Sequence, residues 1–434
     1  MVAENDARPV WADSSYGHST TARRSLGTGV VDHGAPQIDM VALRGYRLRR
    51  LQAEMRRADV PALLLADPVL IRYATGVRSM QPWALHSTYR MALVPAEGKV
   101  IAYEYAGSEH LAAGLETVAE VRLAVAHFYA GTGDGQGGED PRTRAWVEEI
   151  AGQVRRWTGE RPRLAIDRHV DHFSARALER AGITLLPGAP LLARAQSVKS
   201  AEEIQCMTHA IAVAEVGMYR LRQALEPGRS EIDLWAILER TNVEFGGEYM
   251  DTRLLTSGGR TNPWYQEAGH RLVRPGDLVA FDTDMIGAFG YDADVSRTYF
   301  CPPGRPSADQ RRLYRQAFDQ LHHNLEQIRP GLTFAELSAR AYRLPDDVLP
   351  CGMTMVWHGV GLYGQWPTIV DCHLAEQSDR GVLEPGMTLC CESYVGLPGG
   401  LEGVKLEQQV VVTDAGYQLL TTYPFEDDLL GREV

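Results

Sequence analysis

The pattern of apolar and polar positions changes near residue 195 and predicts two domains. Before that point, short apolar runs such as PALLLAD (61–67) alternate with helical patterns such as PRTRAWVEEIAGQVRRW (141–157), an order typical of an α/β domain. After it, long helical patterns surround strand patterns that are typical of an antiparallel sheet. We therefore predict an α/β domain over residues 40–195 and an α+β domain, a curved sheet backed by helices, over residues 196–434.

Several element boundaries are also marked in the sequence. Ser200 and Glu203 form a capping-box pattern, which predicts that a long helix starts here. A second helical pattern begins near Ser230, and a third covers SADQRRLYRQAFDQLHHNLEQI (307–328). Residues 1–39 are rich in Ser, Thr and Gly and show no sustained period, so we expect a flexible N-terminal arm.

The composition excludes several classes of partner. The chain has 434 residues, of which 44% are apolar, and a formal net charge of −12. We expect a globular protein that binds neither nucleic acid nor anionic membranes, because phosphate-rich partners require basic surfaces. The six cysteines form no CxxC pair, which argues against a thiolate zinc site. Without a signal-like segment or a membrane-length apolar run, the expected location is the cytoplasm.

One apolar stretch, LVAFDTDMIGAFGYDADVSRTYF (278–300), contains four aspartates. As a hairpin that reverses at GAFG (287–290), it would place Asp282 and Asp284 on one face and Asp292 and Asp294 together on the return strand. Carboxylates gathered inside a protein are costly unless a cation neutralises them. The stretch therefore indicates a site for a divalent metal, and the alternative is a solvated acidic turn.

Three further candidate ligands lie downstream in apolar strand patterns. They are His358 in VWHGVG, Glu392 in LCCESYVG and Glu407 in GVKLEQQVVV. Each has a structural alternative, since a lone histidine is often a satisfied core residue and Glu407 could pair with Lys405 on the same strand face. Taken with the aspartates, they form the ligand set of a two-metal site.

The order of these residues resembles the creatinase, prolidase and methionine aminopeptidase superfamily, and LIRYATG (70–76) is similar to its N-terminal domain. The resemblance covers about residues 41–428. It implies an α+β, pita-bread catalytic domain preceded by a creatinase-type α/β N-terminal domain. It also implies two divalent ions, with iron or zinc favoured over manganese or cobalt, whose ligands are Asp284, Asp294, His358, Glu392 and Glu407. In this set Asp294 and Glu407 would bridge the two ions.

The doublet FDTD (281–284) resembles a narrower group, the DddP-type dimethylsulfoniopropionate lyases. In that group both aspartates of the doublet are ligands, which adds Asp282 as a sixth. The superfamily usually separates its first two aspartates by eleven residues, whereas Asp294 here follows Asp284 by ten and Asp282 by twelve. Asp292 has no counterpart, so we expect a solvated residue or one behind the ligands.

Two substitutions argue against peptide hydrolysis. Peptidases of the superfamily carry two additional histidines near the metals, but Asn262 and Trp264 follow the SG turn here, and Gln365 stands at the second position. Glutamine cannot shuttle a proton near neutral pH. The resemblance therefore favours β-elimination of dimethylsulfoniopropionate to acrylate and dimethyl sulfide, or of a related onium acid. The alternatives are a metallo-hydrolase of a small C–N bond and a non-catalytic binding module.

The general base and the substrate contacts are less clearly marked. The lyase group has an aspartate where this chain has Gly364, so the base would be Tyr363 or a metal-bound hydroxide. A small carboxylate carrying a cationic group needs a cation-friendly pocket. The resemblance implies a homodimer, with Trp83 and His86 lying over the partner's site. The candidate substrate contacts are Trp83, His86, Trp264, Tyr265 and Trp366.

Overall fold

The structure, a computed structural model, describes residues 38–87, 89–127 and 140–432. It divides into two compact units, one ending at Gln196 and the other beginning at Ser197. The predicted N-terminal arm, residues 1–39, lies outside the described residues except for its last two positions. Within the described ranges, no helix is long and apolar enough to cross a membrane.

The first unit is an α/β domain built on a mixed sheet. The strands are β1 (Ala62–Leu65), β2 (Met91–Pro95), β3 (Val100–Glu104), β4 (Val118–Leu123), β5 (Arg163–Ile166) and β6 (Thr184–Pro187), in the order β4-β3-β2-β1-β5-β6. The helices are α1 (Met40–Arg57), α2 (Pro68–Thr75), α3 (Gln81–Ala84), α4 (Pro141–Thr158), α5 (His172–Arg180) and α6 (Ala189–Ser197). Strand β1 pairs antiparallel with β2 and parallel with β5, and all four of its apolar side chains are buried.

The second unit combines antiparallel sheets with helices. Its short strands are β7 (Tyr249–Met250), β8 (Leu255–Ser257), β9 (Leu278–Asp282), β10 (Met285–Ile286), β11 (Asp292–Ala293) and β12 (Ser296–Phe300). They form the sheets β11-β10-β7 and β12-β9-β8. A larger sheet has the order β14-β13-β15-β16-β17, with β13 (Met355–Val360), β14 (Gly364–Val370), β15 (Thr388–Gly396), β16 (Gly403–Thr413) and β17 (Gly416–Leu419).

The second unit contains five α-helices among the described residues, and the one that follows Ser200 begins where the capping-box pattern predicts. They are α7 (Ala201–Ala224), α8 (Glu231–Glu244), α9 (Ala308–Gln327), α10 (Phe334–Ala339) and α11 (Asp427–Leu430). In the box that starts α7, Glu203 N donates to Ser200 Oγ at 3.2 Å and Ser200 N donates to Glu203 Oε2 at 2.9 Å. Ser230 and Ser307 cap α8 and α9 in the same way. Each box satisfies backbone N–H groups that the first helical turn leaves free.

The predicted hairpin over residues 278–300 is present, but it is interrupted near its middle. Gly290 N donates to Gly287 O at 2.8 Å, which closes the expected reversal. Asp282 pairs with Ser296 and Met285 pairs with Ala293, but the chain breaks its extended course between them, since Asp284 has φ 36°. The simple alternation that would place Asp282 and Asp284 on one strand face is therefore wrong.

Two buried side chains hold the interrupted hairpin together. Thr283 Oγ1 donates to Ala293 O at 2.6 Å and accepts from Val295 N at 3.0 Å, so it replaces ladder hydrogen bonds lost at the kink. Arg297 is fully buried, and its Nη1 donates to Glu407 O. This contact joins β12 to β16 and brings the aspartate hairpin against the large sheet.

Candidate metal centre

The structure brings the six predicted metal ligands into one cluster. Three of these side chains lie on strands of the large sheet, and three lie on the aspartate hairpin. Their potential ligand atoms fall into groups within 4.8 Å: Asp282 with Asp284 and Asp294, Asp282 with Glu392 and Glu407, and Asp294 with His358 and Glu407. The proximity is an observation, and the role of the residues as ligands stays a prediction.

Strand register places two of the carboxylates face to face. Glu392 on β15 lies directly opposite Glu407 on β16, and both are almost fully buried. Like charges directly opposite each other destabilise a sheet, and a buried carboxylate is costly unless it is paired. This register therefore requires a positive charge between the strands.

Lys405 supplies one such charge. Its Nζ lies 2.7 Å from Glu392 Oε2, 3.1 Å from Glu407 Oε2 and 3.2 Å from Asp282 Oδ2, and the side chain is fully buried. The pairing of Glu407 with Lys405, an alternative to a ligand role, is present but shared among three carboxylates. Five carboxylates and one ammonium leave a charge of minus four if all are ionised, which two divalent cations would balance.

His358 presents one ring nitrogen to the cluster. Its Nε2 lies 3.1 Å from Glu392 Oε1 and 3.3 Å from Asp294 Oδ2. Its Nδ1 lies 2.9 Å from Gly359 O, and because a carbonyl only accepts, Nδ1 carries a proton. A backbone partner on one nitrogen orients the other toward a metal.

Burial and neighbouring charges shift the pKa values of the clustered carboxyl groups. Burial, with the charge of Asp282, raises the pKa of Asp284 to about 7. Burial and the charge of Glu407 raise the pKa of Asp294 well above its usual range. Burial would also raise the pKa of Glu392, but the positive charges of Lys405 and His358 outweigh it and lower that pKa to about 2. A divalent cation would replace the protons that the first two carboxyls otherwise retain.

The residues present fit a pair of divalent metal ions. Glu407 Oε1 is buried at the centre of the cluster and has no hydrogen-bond partner among the described residues. Ser296 Oγ lies 2.7 Å from both Asp282 Oδ1 and Glu407 Oε2 and accepts from Lys405 Nζ, so it orients two of the carboxylates. Oxygen donors with one imidazole suit iron, manganese, zinc or cobalt.

Sequence patterns missed some neighbours of the cluster. Cys390 Sγ lies 3.5 Å from Asp294 Oδ2 and belongs to the group that includes His358 and Glu407. Burial raises the pKa of this thiol well above its usual range. Thr252 Oγ1 donates to the Asp284 carboxylate. A lone cysteine or threonine in a strand or turn carries no signal, so only the fold could reveal these contacts.

Asp292 is not the solvated residue that was one expectation. It is 1% exposed, and its Oδ1 has no hydrogen-bond partner in the part of the chain that the structure describes. Its backbone N donates to Gly361 O at 2.8 Å, which joins the hairpin to the loop after β13. It lies outside the groups of potential ligand atoms found in the described residues. The other expectation, that Asp292 lies behind the predicted ligands, stays a prediction.

A cavity of about 550 Å³ opens over the cluster. Trp264 and Tyr265 line it, together with Gly364 and Gln365. Trp264 is 6% exposed and stacks on Tyr394 with a centroid distance of 5.8 Å. Tyr265 is 67% exposed and has φ 70°, a conformation that non-glycine residues rarely adopt. The two aromatic residues therefore differ in how much ring surface they offer to a ligand.

The remaining predicted residues lie elsewhere. The Trp366 ring packs against Phe334 at 5.1 Å, and Trp366 is not among the residues lining the cavity. Tyr363 lies in the turn between β13 and β14, is half-buried and is also absent from that lining. Trp83 and His86 belong to the first unit, in α3 and the turn after it, where Trp83 is 50% exposed. Their functional roles stay predictions.

Two protein-family models match this chain. Residues 205–414 match the model of metallopeptidase family M24, and residues 47–195 match that of the creatinase/prolidase N-terminal domain. The Xaa-Pro dipeptidase from Bacillus anthracis superposes with a TM-score of 0.71 at 21% identity, over 88% of this chain and 99% of that one. At that identity the likeness shows the fold, and it confirms the predicted fold class.

Two curated relatives are more similar in sequence. The dimethylsulfoniopropionate lyase DddP of Roseovarius nubinhibens is 36% identical, and that of Roseobacter denitrificans is 35% identical. Each match covers 91% of this chain and 89% of the relative. The chain therefore belongs to metallopeptidase family M24, as a member with a creatinase/prolidase N-terminal domain. The narrower resemblance to the lyases is confirmed as well.

The contacts of Lys405 generate a prediction about stability. Lys405→Met should lower the free energy of unfolding of the chelator-treated protein by about 3–5 kcal/mol, because it leaves buried carboxylates uncompensated. The loss should be smaller when metal is bound, since the ions then supply positive charge. Urea unfolding followed by tryptophan fluorescence measures both.

Lys99→Met, at an exposed lysine, is the control and should change the free energy of unfolding by less than about 0.5 kcal/mol. Equal losses in the two variants would contradict a compensating role for Lys405.

Proposed function

We propose that the chain is a binuclear metal-dependent lyase that splits dimethylsulfoniopropionate into acrylate and dimethyl sulfide. The observation that carries the proposal is a cavity with convergent carboxylates whose described lining includes His358 as its sole histidine. A peptidase-type proton shuttle is therefore absent from that lining. The similarity to two dimethylsulfoniopropionate lyases over most of the chain supports the same reaction.

The proposed elimination does not require a catalytic acid. A base takes the proton from the carbon beside the carboxylate, the C–H electron pair forms the new double bond, and the C–S bond breaks. The sulfur keeps the bonding pair and leaves as a neutral sulfide, so no proton has to be delivered to it. Elimination therefore requires a base and an anion-stabilising site, whereas amide hydrolysis also requires protonation of the leaving amine.

The proposed ligands are Asp282, Asp284, Asp294, His358, Glu392 and Glu407. Two divalent ions held there, with iron or zinc favoured, would bind the substrate carboxylate and stabilise the negative charge that develops on it. The chain itself fixes these ligands through Ser296, Lys405 and the Nδ1–H of His358. Tyr265 presents an exposed ring to the cavity, which suits the cationic end of the substrate.

Purified, metal-loaded protein should release acrylate and dimethyl sulfide from dimethylsulfoniopropionate. Glu407→Gln should lower turnover by about 100-fold or more, because metal charge stabilisation contributes several kcal/mol. Elemental analysis should show two metal ions per chain in the parent protein and fewer in the variant. Glu384→Gln, at an exposed glutamate, is the control. Hydrolysis of dipeptides without any acrylate release would refute the lyase function.

We propose Tyr363 as the base, since it directly precedes Gly364 in the chain and Gly364 lines the cavity, although Tyr363 itself is outside that lining. A β-carbon added at Gly364 would contact only the His358 ring, at 3.9 Å, so a side chain there has room over the cluster. By resemblance, the lyase group places an aspartate at this point. The present chain needs another group to accept the proton, and the neighbouring phenol is our candidate.

Two substitutions test this assignment. Tyr363→Phe should lower turnover by about 100-fold if the phenol is the base, and unchanged turnover would exclude it. Gly364→Asp should raise turnover by about tenfold or more, because it adds a carboxylate above the cluster. Gly364→Asn is the matched control, equal in size but unable to accept the proton. Steady-state acrylate release measures all three variants.

We further propose that the chain is a homodimer in the cytoplasm. The resemblance supports the dimer, in which Trp83 and His86 would contact the partner's substrate. Its cysteines are all free thiols in the structure, which suits a reducing compartment. Sedimentation equilibrium should give twice the mass of one chain, and a mass equal to one chain would contradict the dimer.

A further inference from the structure

We propose that Asp251 recognises the positive charge of the substrate, so that the site selects zwitterionic acids over neutral acids of the same shape. The inference deepens the proposed function by assigning the cationic half of the substrate to a carboxylate outside the metal cluster. It rests on the proposed onium-acid substrate class, and it adds a residue that the similarity to the lyases did not indicate.

Asp251 differs from the other carboxylates that line the cavity. The acidic residues of the lining are Asp251, Glu267, Asp282, Asp284, Asp294 and Glu392. Four of them are predicted metal ligands, and Glu267 accepts from Arg253 Nη2 at 2.8 Å. The side chain of Asp251 has no hydrogen-bond or ion-pair partner among residues 38–87, 89–127 and 140–432. It is therefore the acidic group of the wall that remains available to a cation.

The position of Asp251 is fixed by the metal cluster. It follows β7 directly, and its backbone N donates to Asp284 O at 2.9 Å. The next residue, Thr252, donates its hydroxyl to the Asp284 carboxylate. The backbone of Asp251 is thus hydrogen-bonded to Asp284, the predicted ligand at the kink. Its side chain lines the cavity and lies outside the groups of potential ligand atoms.

The lining of the cavity favours an onium ion over a hydrated metal at Asp251. The same cavity is lined by Trp264, Tyr265, Met353 and Met355, which offer aromatic and thioether surface. Tyr265 keeps φ 70° while most of its side chain is exposed, and such strained residues occur at ligand sites. A cavity lined by a carboxylate, aromatic rings and thioether groups is a suitable environment for a methylated cation.

The geometry also explains discrimination against neutral acids. A substrate whose carboxylate lies at the cluster would project its other end along this wall. If that end is cationic, it compensates Asp251. If it is neutral and apolar, it displaces water from the carboxylate without replacing the lost interaction, and such unpaired polar groups disfavour binding.

A pair of non-reactive ligands tests the inference. 4-(Trimethylammonio)butanoate and 5,5-dimethylhexanoate have the same shape and carboxylate but differ by one positive charge, and neither carries a leaving group on its β-carbon. Their dissociation constants are measured by calorimetry with the metal-loaded protein. The parent protein should prefer the cation, and Asp251→Asn should reduce that preference about fivefold, which is the size expected for a partly exposed ion pair. Asp251→Glu keeps the charge and should retain the preference.

Asp346→Asn is the matched control, because it removes the same charge from an exposed aspartate outside the cavity lining. It should leave the preference unchanged. An equal reduction in both asparagine variants, an unchanged preference in Asp251→Asn, or no preference in the parent protein would each overturn the proposal. Neither ligand carries a sulfonium group, so the result is independent of lyase activity, and a failed acrylate assay would refute only the proposed reaction.

Discussion

The catalytic unit depends on one buried ammonium group. Lys405 Nζ lies within 3.2 Å of three carboxylates that come from β9, β15 and β16. An isolated pair of opposed glutamates would push β15 and β16 apart, and the ammonium makes their register tolerable. Since one cation cannot balance the whole cluster, the same constraint that holds the strands together also creates the demand for metal ions.

The aspartate hairpin is not a regular pair of strands, because its strand geometry is interrupted at the predicted metal ligands. A continuous hairpin would bury a longer hydrogen-bonded ladder, but it would not turn Asp284 toward Asp282 and Asp294. The chain instead adopts φ 36° at Asp284, and Thr283 replaces lost backbone pairings with its hydroxyl. Aspartate tolerates this region of backbone space better than most residues. The local irregularity thus lies at the residues whose charge must be positioned.

Much of this arrangement could be predicted from the sequence, because it rests on local patterns. The capping box at Ser200 predicted where α7 begins, and the paired glycines predicted the reversal between Gly287 and Gly290. The resemblance supplied the ligand candidates that the structure gathers. The kink at Asp284 escaped prediction, because period-two alternation assumes an unbroken strand.

Contacts between segments that are distant in sequence could not be predicted either. Cys390 beside Asp294 and the burial of Asp292 follow from how strands cross in space, which apolar patterning does not encode. Asp251 carried no signal either, since it lies in a short polar segment between β7 and β8. The sequence identified residues that bear charge, whereas only the fold showed which of those charges were already compensated.

The reaction class depends on the wall of the cavity more than on the metal cluster. By resemblance, peptidases of the superfamily share five of the six predicted ligands, so those five cannot distinguish hydrolysis from elimination. The wall can, because Lys199 Nζ donates to Gln365 Oε1 at 3.0 Å and fixes an amide where a proton shuttle would be needed. An amide cannot deliver a proton to a leaving amine near neutral pH. A sulfonium requires no such delivery, so an amide at this position disfavours hydrolysis and leaves elimination chemically open.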